Sequence, residues 1–525
     1  MMKSNRISRW LKHDQTLLAV VTAFGIVFRW GQYDILRYWK NQFVDLPDDS
    51  FYYFSIAKQI ALGNGISIDG AHATNGMHPL WLLLIAPFFA TAPGHNFFDA
   101  IQRVVAFQLL LDAGLVWLIG DTIRLYLSNA DPTNRRSAFL IPALIYAVCS
   151  PFVNGLETTI TALFLILWLR HARLLTAHQP LRFWIVLGLL TGLLFLARTD
   201  MVVVILPVAL WILICYRREL DRGKSMTAAA ITLGVIAPWL IWNLIHFGTI
   251  LQSSAEAVQL FAMRKYDVMY GPIGRYWQLL IEAIHNAPKP FIVTTLGFSA
   301  MTICFSAYLT RRNRDSGYTI FLLVLVGGIL LLIVHSFFRG FIREWYVQQL
   351  IPLFLIGFGV SIGMNAGISK VRVVGRSLLA VVLIVGLTFY NRAHSTNYRS
   401  QIAMAEVAQR WGSIFASGEK VGAFNSGMYS FLTPRPDRLV NLDGVVNADV
   451  LPYLKHGNFG EYLRRDSIEY IVDFKGTIGG YLGLFDHNML HDFTLESEVA
   501  NELGDTMLLL HRKHTENRSQ ENAQP

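Results

Sequence analysis

Apolar runs divided by short basic clusters are what most restrict the fold of this chain. The first runs from Leu17 to about Phe28, behind Lys3, Arg6, Arg9 and Lys12. Others centre on residues 103–127, 137–150, 157–170, 183–197, 201–216, 226–247, 290–309, 317–335, 346–367 and 376–390. Several fall short of the ~20 residues of a straight span, so their boundaries are soft. No small-x-small cleavage site follows the first run, which therefore reads as an uncleaved helix. The fold class is an α-helical polytopic membrane protein of about eleven transmembrane helices. Charged residues make up 15% of the chain and mean hydropathy is +0.39, against roughly 25% charged residues in soluble domains. The net charge of +9 would suit nucleic acid, but it sits between the apolar runs as orientation signal, so no nucleic acid partner is expected. Cys149, Cys215 and Cys304 lie in or beside apolar segments and imply no disulfide framework.

Charge bias sets the topology. If the apolar stretch Pro79–Ala90 lies along the membrane rather than across it, five basic clusters fall on the N-terminal side. They are Arg135-Arg136, Arg170/Arg173/Arg182, Arg217-Arg218-Arg222-Lys224, Arg311-Arg312-Arg314 and Lys370/Arg372/Arg376. The positive-inside rule then puts the N-terminus in the cytoplasm. Three parts of the chain follow. Residues 1–391 form the membrane domain, with a first outer loop at 34–100, and residues 392–512 form a small extracytoplasmic α/β domain. Residues 513–525 are expected to be a disordered tail. In the second part Val421–Phe424, Arg438–Asn441 and Tyr470–Asp473 read as short buried strands, with Leu442-Asp443-Gly444 as a turn.

The first outer loop carries the chemistry. Pro47-Asp48-Asp49-Ser50 is a helix start with an acidic N-cap, and Phe51, Phe54, Ile56, Ala57, Ile60 and Ala61 give an apolar stripe. Gly63-Asn64-Gly65 stops it, so a short amphipathic helix on the membrane surface is expected. Of Asp48 and Asp49, one serves as general base and the other as cap or cation ligand, because adjacent helical residues point about 100° apart. Asp48, preceding the surface helix, is expected to be the base. Glu157, three residues after Asn154, fits a capping box as well as a substrate contact. Arg198 and Asp200 suit either a structural turn or a site. His335, Arg339 and Arg343 recur every four residues and would form one basic ridge on a helix. That ridge serves either to anchor headgroups or to hold an anion. His72 and His78 near Asp69 lack zinc spacing, so metal ligands stay unassigned.

Asp48-Asp49-Ser50-Phe51-Tyr52-Tyr53, Gly63-Asn64-Gly65, Thr74-Asn75-Gly76-Met77-His78-Pro79-Leu80-Trp81, Gly155-Leu156-Glu157-Thr158 and Leu196-Ala197-Arg198-Thr199-Asp200 together resemble the GT-C class of membrane glycosyltransferases. They look most like the branch holding the cell-wall arabinofuranosyltransferases. The likeness to lipid A aminoarabinose transferases and protein O-mannosyltransferases is more distant. Ile66-Ser67-Ile68-Asp69-Gly70 departs from the arabinofuranosyl pattern after the glycine pair, which leaves the sugar open. The resemblance implies an inverting transferase that takes sugar from a polyprenyl-phosphate donor. The acceptor would be a hydroxyl of an envelope glycan, lipid or protein outside the bacterial cytoplasmic membrane. It implies catalytic aspartate at Asp48 or Asp49, with substrate contacts among Tyr52, Asn75, His78, Glu157, Arg198, Asp200, His335, Arg339 and Arg343. Metal dependence is mixed in that class, so a divalent cation is allowed and not required. A lipid phosphate leaves as a stable anion, so the needs are a base for the acceptor hydroxyl and positive charge on the phosphate. The alternative is a transporter or lipid flippase, which would show charged or broken helices at mid-membrane, often in two related halves.

Overall fold

The computed structural model describes residues 2–32, 46–128, 130–149, 153–176, 178–215, 221–265, 271, 297, 299–300, 316–338, 343, 345–364, 399–500 and 505–513. The expected run at 376–390, most of that at 290–309, Arg339 and the expected tail beyond Lys513 lie outside these residues. The chain divides into two compact units, each assembled from separate stretches. One comprises Met1–Phe43, His78–Ile245 and Tyr276–Asn397, the other Val44–Met77, His246–Arg275 and Tyr398–Pro525.

The first unit is helical. Its helices are Met2–Gln32, Pro79–Ala90, Phe97–Tyr126, Pro132–Cys149, Thr158–Ala172, Leu181–Ala197, Met201–Cys215, Arg222–Phe247, Ser316–Phe338 and Ile351–Met364. Among the described residues three helices are long and apolar enough to cross a membrane: Phe97–Tyr126, Arg222–Phe247 and Ser316–His335. The rest of the apolar set is shorter, and Pro79–Ala90 has only 12 residues. Leu115, Val116, Phe139, Trp168, Val204, Phe321 and Ile356 pack into one core. Leu213, Ile214, Leu233 and Ile245 stay exposed on the outside, as a lipid-facing surface would require.

Buried ion pairs tie these helices together. Arg29 pairs with Asp112, and the Tyr146 hydroxyl donates to Asp112 Oδ1 at 2.5 Å. Asp14, fully buried, holds both Arg135 and Arg136, at 2.7 and 2.9 Å. Asp121 pairs with Arg124 and Arg170. Arg135, Arg136 and Arg170 read as orientation signal in the sequence, yet each also has a carboxylate partner on another helix. Breaking such a buried pair from one side typically costs ~3–5 kcal/mol.

The second unit is built on a five-stranded sheet: β1 Lys420–Ala423, β2 Leu439–Asn441, β3 Ile468–Phe474, β4 Phe493–Ala500 and β5 Thr506–Arg512. The order is β2-β1-β3-β5-β4. β1 runs parallel to both neighbours, while β5 lies antiparallel between β3 and β4. The three expected strands are β1, β2 and β3, to within a residue or two. β4 and β5 were not expected. β4 is an edge strand exposed over most of its length and carries Glu496 and Glu498, so it lacks the apolar signature of a buried strand. Phe424, Leu442, Phe459, Ile468, Ile471 and Leu510 form the core of this unit.

The helix expected after Pro47 runs Asp48–Ala61 and ends before Gly63 and Gly65, whose φ angles are +85° and +77°. Two expectations about it are corrected. It is no surface helix with one wet face: Ser50, Phe51, Tyr52, Tyr53, Phe54, Ser55, Ile56 and Gln59 are all buried. Phe51 packs edge-on against Phe431 at 5.8 Å, and Lys58 Nζ donates to the Phe431 carbonyl at 3.0 Å. Nor does an aspartate cap it. Pro47 is the N-cap and provides no side-chain bond, while Asp48 and Asp49 lie inside the first turn. Proline suits that position because it fixes φ near −65° before the helix begins.

Candidate active site

Two clusters of ionisable side chains contain most of the expected site residues, one within each unit. In the sheet-bearing unit the Asp48 carboxylate accepts from the Met428 amide at 2.7 Å and the Gly427 amide at 3.2 Å. Those two amides open the short helix Gly427–Leu432. A Cβ on Gly427 would run into the Asp48 carbonyl oxygen, so only glycine lets the two segments approach this closely. Asp49, one residue on, is only partly buried. The Tyr52 hydroxyl donates to the Phe424 carbonyl and accepts from the Ser426 amide, both at 3.4 Å. Asn75 is buried, donates to the Leu251 carbonyl and accepts from the Ser253 amide, which ties the first loop to the segment around 251–253.

Two carboxylates that the sequence reading left as strand and turn residues join this cluster. Asp473, at the end of β3, accepts from the Phe424 and Asn425 amides at 2.9 and 2.7 Å and from Asn425 Nδ2 at 2.8 Å. Asp443 accepts from the Val445 amide at 2.8 Å. Burial pushes the Asp48 carboxyl up to about 7 against its two amide bonds, with repulsion from Asp49 and Asp473 adding to the rise. Burial likewise lifts Asp443 to about 8, helped by Asp49 and Asp48, and Asp473 to about 6. Like charges this near each other do not all ionise together at neutral pH. Closely placed acids of separated pKa are also what acid–base chemistry uses.

These raised values imply a pH-dependent stability. The folded chain holds protons on Asp48, Asp443 and Asp473 that the unfolded chain, with carboxyls near 3.8, has released. Stability therefore falls as pH rises, because the native state binds more protons. The loss should begin near pH 4 and be complete near pH 8. Thermal melting of the purified protein between pH 5 and 8 should show a falling midpoint, and Asp443→Asn should flatten that slope. A midpoint that rises across the range would refute the assignment.

In the helical unit the cluster centres on Arg198, at the end of Leu181–Ala197, which is 1% exposed. Its guanidinium donates to Glu157 Oε1 at 2.6 Å and to both oxygens of Asp200, at 3.1 and 2.7 Å. Its face lies 5.6 Å from the Tyr346 ring centroid. His335 Nε2 is 3.2 Å from Asp200 Oδ2, and its ring stacks on Tyr346. His78 Nε2 lies 3.8 Å from Glu157 Oε1. Burial alone would raise the Asp200 carboxyl, but Arg198 and His335 outweigh it and hold it well below the usual carboxylate range. Glu157 is the N-cap of Thr158–Ala172 without a side-chain bond to that helix, so the expected capping box is not formed. Asn154 Oδ1 instead takes the Leu156 amide and the Thr158 hydroxyl. Near by, Trp81 Nε1 donates to the Gly155 carbonyl at 2.8 Å, and Gln108 Oε1 accepts from the Gly155 amide.

Of the expected basic ridge, Arg339 lies outside the described residues and Arg343 does not share a helix with His335. The helix bearing His335 ends at Phe338, and Arg343 lies outside it, exposed and 5.7 Å from the Trp345 ring centroid. His72 pairs with Asp69 at 2.7 Å. Among the described residues no group of three or more His, Cys, Asp or Glu side chains is placed to hold a metal ion.

Residues 78–242 match the sequence model of the dolichyl-phosphate-mannose-protein mannosyltransferase family. Comparison of the whole sequence with curated proteins gives no match. The fold is similar to that of the oligosaccharyltransferase of Archaeoglobus fulgidus in its apo form, with a TM-score of 0.56 at 11% identity. That alignment covers 94% of this chain and 74% of the archaeal one. The same archaeal enzyme tethered to an acceptor peptide containing the NVT sequon aligns at TM-score 0.56 and 9% identity, over 95% and 74% of the two chains. In complex with an inhibitory peptide and a dolichol-phosphate it aligns at 0.54 and 11%, over 94% and 74%. The chain is thus mostly helical with a small C-terminal sheet, in a GT-C-like fold, and the family match together with that fold supports a glycosyltransferase.

Proposed function

We propose that the chain is an inverting glycosyltransferase of the bacterial cytoplasmic membrane. It moves a sugar from a polyprenyl-phosphate donor to a hydroxyl of an envelope glycan, lipid or protein on the outer face. The N-terminus then lies in the cytoplasm and the sheet-bearing unit outside. The observation that carries this reading is the acidic first turn of Asp48–Ala61. Asp49 is only partly buried there, and Asp48 accepts from the Gly427 and Met428 amides.

The geometry favours a division of roles between the two aspartates. Asp48 has both oxygens occupied and holds the turn in place. Asp49, at the next position, is the general base that takes the acceptor's hydroxyl proton as the oxygen attacks the anomeric carbon. The lipid phosphate leaves from the opposite side, so one displacement inverts the configuration. Of the acids near that base, Asp443 is lifted by burial to about 8 and stays mostly protonated at neutral pH, which limits the repulsion on the base's charge. No step here runs through a cation.

Arg198 makes three hydrogen bonds to Glu157 and Asp200, which favours a structural role for it over a contact to the departing phosphate. Arg339 and Arg343 stay the anion-binding candidates that the sequence suggests. The similarity to a dolichyl-phosphate-mannose-protein mannosyltransferase family and to an oligosaccharyltransferase in complex with a dolichol-phosphate supports a lipid-phosphate donor. The motif likeness to arabinofuranosyltransferases argues for trying a pentosyl donor beside a hexosyl one. Purified protein incubated with each polyprenyl-phosphate sugar and an envelope extract should release polyprenyl phosphate and label an acceptor. No turnover of any such donor by folded protein would end the proposal.

A further inference from the structure

A recess in the sheet-bearing unit, apart from the aspartate cluster, is lined by Asp69, His72, Asn447, Asp449, Tyr462 and Arg465 over an apolar floor that includes Val440 and Val446. Its framework is rigidly bonded. Asp69 Oδ1 accepts from the Ser67 hydroxyl and the Ala71 and His72 amides at 2.8–2.9 Å, while Oδ2 holds His72 Nδ1. Asn447 Nδ2 donates to the Asn441 carbonyl and the Tyr462 hydroxyl, both at 2.8 Å. Arg465 donates to the Tyr453 hydroxyl at 2.8 Å and lies over the rings of Tyr453 and Tyr462. The fixed bonds leave other groups at the rim. Asp449 is exposed, and its carboxylate has no ion-pair partner among the described residues. His72 is exposed, and the bond of its Nδ1 to Asp69 raises its pKa and favours a donating ring.

We propose that this recess is a subsite for a neutral sugar residue of the acceptor glycan. The charges decide the class of ligand. Arg465 and His72 oppose a cation and Asp449 opposes an anion, so neither kind of ion gains from entering, while Asp466, also in the lining, is already paired with Lys420 at 3.0 Å. A polyhydroxylated neutral ring uses both. Its vicinal hydroxyls donate to the Asp449 carboxylate and accept from Arg465 and His72, in charge-assisted hydrogen bonds. Its less polar face lies against the valines. A peptide would need an extended apolar or strand-pairing groove, and the lining here is short and ringed by charge.

The inference rests on the glycosyltransferase reading for its biological use, but its test does not. The full chain, in nanodiscs without sugar-headed detergent, is titrated with neutral hexose and pentose oligosaccharides, and binding is followed by saturation-transfer NMR. The wild type should bind at least one of them, and Asp449→Ala, at an exposed position, should weaken that binding at least tenfold with an unchanged melting temperature. His72→Gln should weaken it less, because it keeps a donor. Donor turnover is assayed separately, so binding without turnover would sink only the transferase reading. Absence of sugar binding by the folded wild type would overturn the subsite. So would equal binding by Asp449→Ala, or Asp449-dependent binding of a basic peptide or of calcium in place of sugar.

Discussion

Asp49→Asn is expected to lower the rate of sugar transfer by ~10²–10⁴-fold, the usual loss when a general base is removed. The amide is nearly isosteric and keeps hydrogen bonding, but it cannot accept the hydroxyl proton. Donor binding should survive, because it depends on the cationic groups. Asp48→Asn makes the informative comparison. Its side chain faces the Gly427 and Met428 amides, and one of them would then meet an NH₂ group. An unsatisfied buried donor costs ~1–3 kcal/mol, so this variant should melt lower while losing less in rate per folded molecule. Single-turnover transfer and melting temperature for both variants separate the roles. A dead Asp48→Asn beside an active Asp49→Asn would return the base to Asp48, where the sequence reading put it.

Arg198→Ala should be the most damaging change in the helical unit. It leaves Glu157 and Asp200 facing each other in a site where the guanidinium is 1% exposed. Removing one partner from a buried charge network typically costs ~3–5 kcal/mol. Expression and melting temperature should therefore fall before any kinetic defect is measured. Arg198→Lys keeps the charge but cannot make the forked contact to both oxygens of Asp200, and should recover only part of the stability. The opposite pattern, a normally folded Arg198→Lys that no longer binds donor phosphate, would make Arg198 a substrate ligand after all.

What the sequence could reveal depended on how local the signal was. The helix Asp48–Ala61 was legible because proline and two glycines bracket an apolar stripe. β1, β2 and β3 were legible because each is a short apolar run. β4 was hidden by its glutamates, and the pairing of β5 with it depends on a neighbour that sequence alone does not supply. In the two clusters, the motifs singled out Asp48 and Asp49 in one and Glu157, Arg198 and Asp200 in the other. Their partners were out of reach: Arg198 meets Glu157 across 41 positions, and Asp48 meets Met428 across 380. That distance also explains why nothing in the sequence signalled that Asp48 is bonded to the Gly427 and Met428 amides. Asp112 was missed inside an apolar run, although an ionisable residue at such a position is itself a signal. Asp443 was visible only as a turn residue, since its burial comes from segments far along the chain.

The sheet-bearing unit is drawn from the beginning, middle and end of the chain, and this orders events during synthesis. Residues 44–77 leave the ribosome long before Gly427 and Met428 exist, so the aspartate pair cannot reach its final setting until the last quarter of the polypeptide has followed. Contacts of such separation form late, because a long loop must close first. A nascent or prematurely terminated chain therefore already contains its proposed base, but lacks the two amides and the buried acids that set the base's surroundings. The proposed transfer would therefore become possible only once the stretch from Gly427 to Asp473 has joined the unit, and chains stopped before it should be unable to act on a donor.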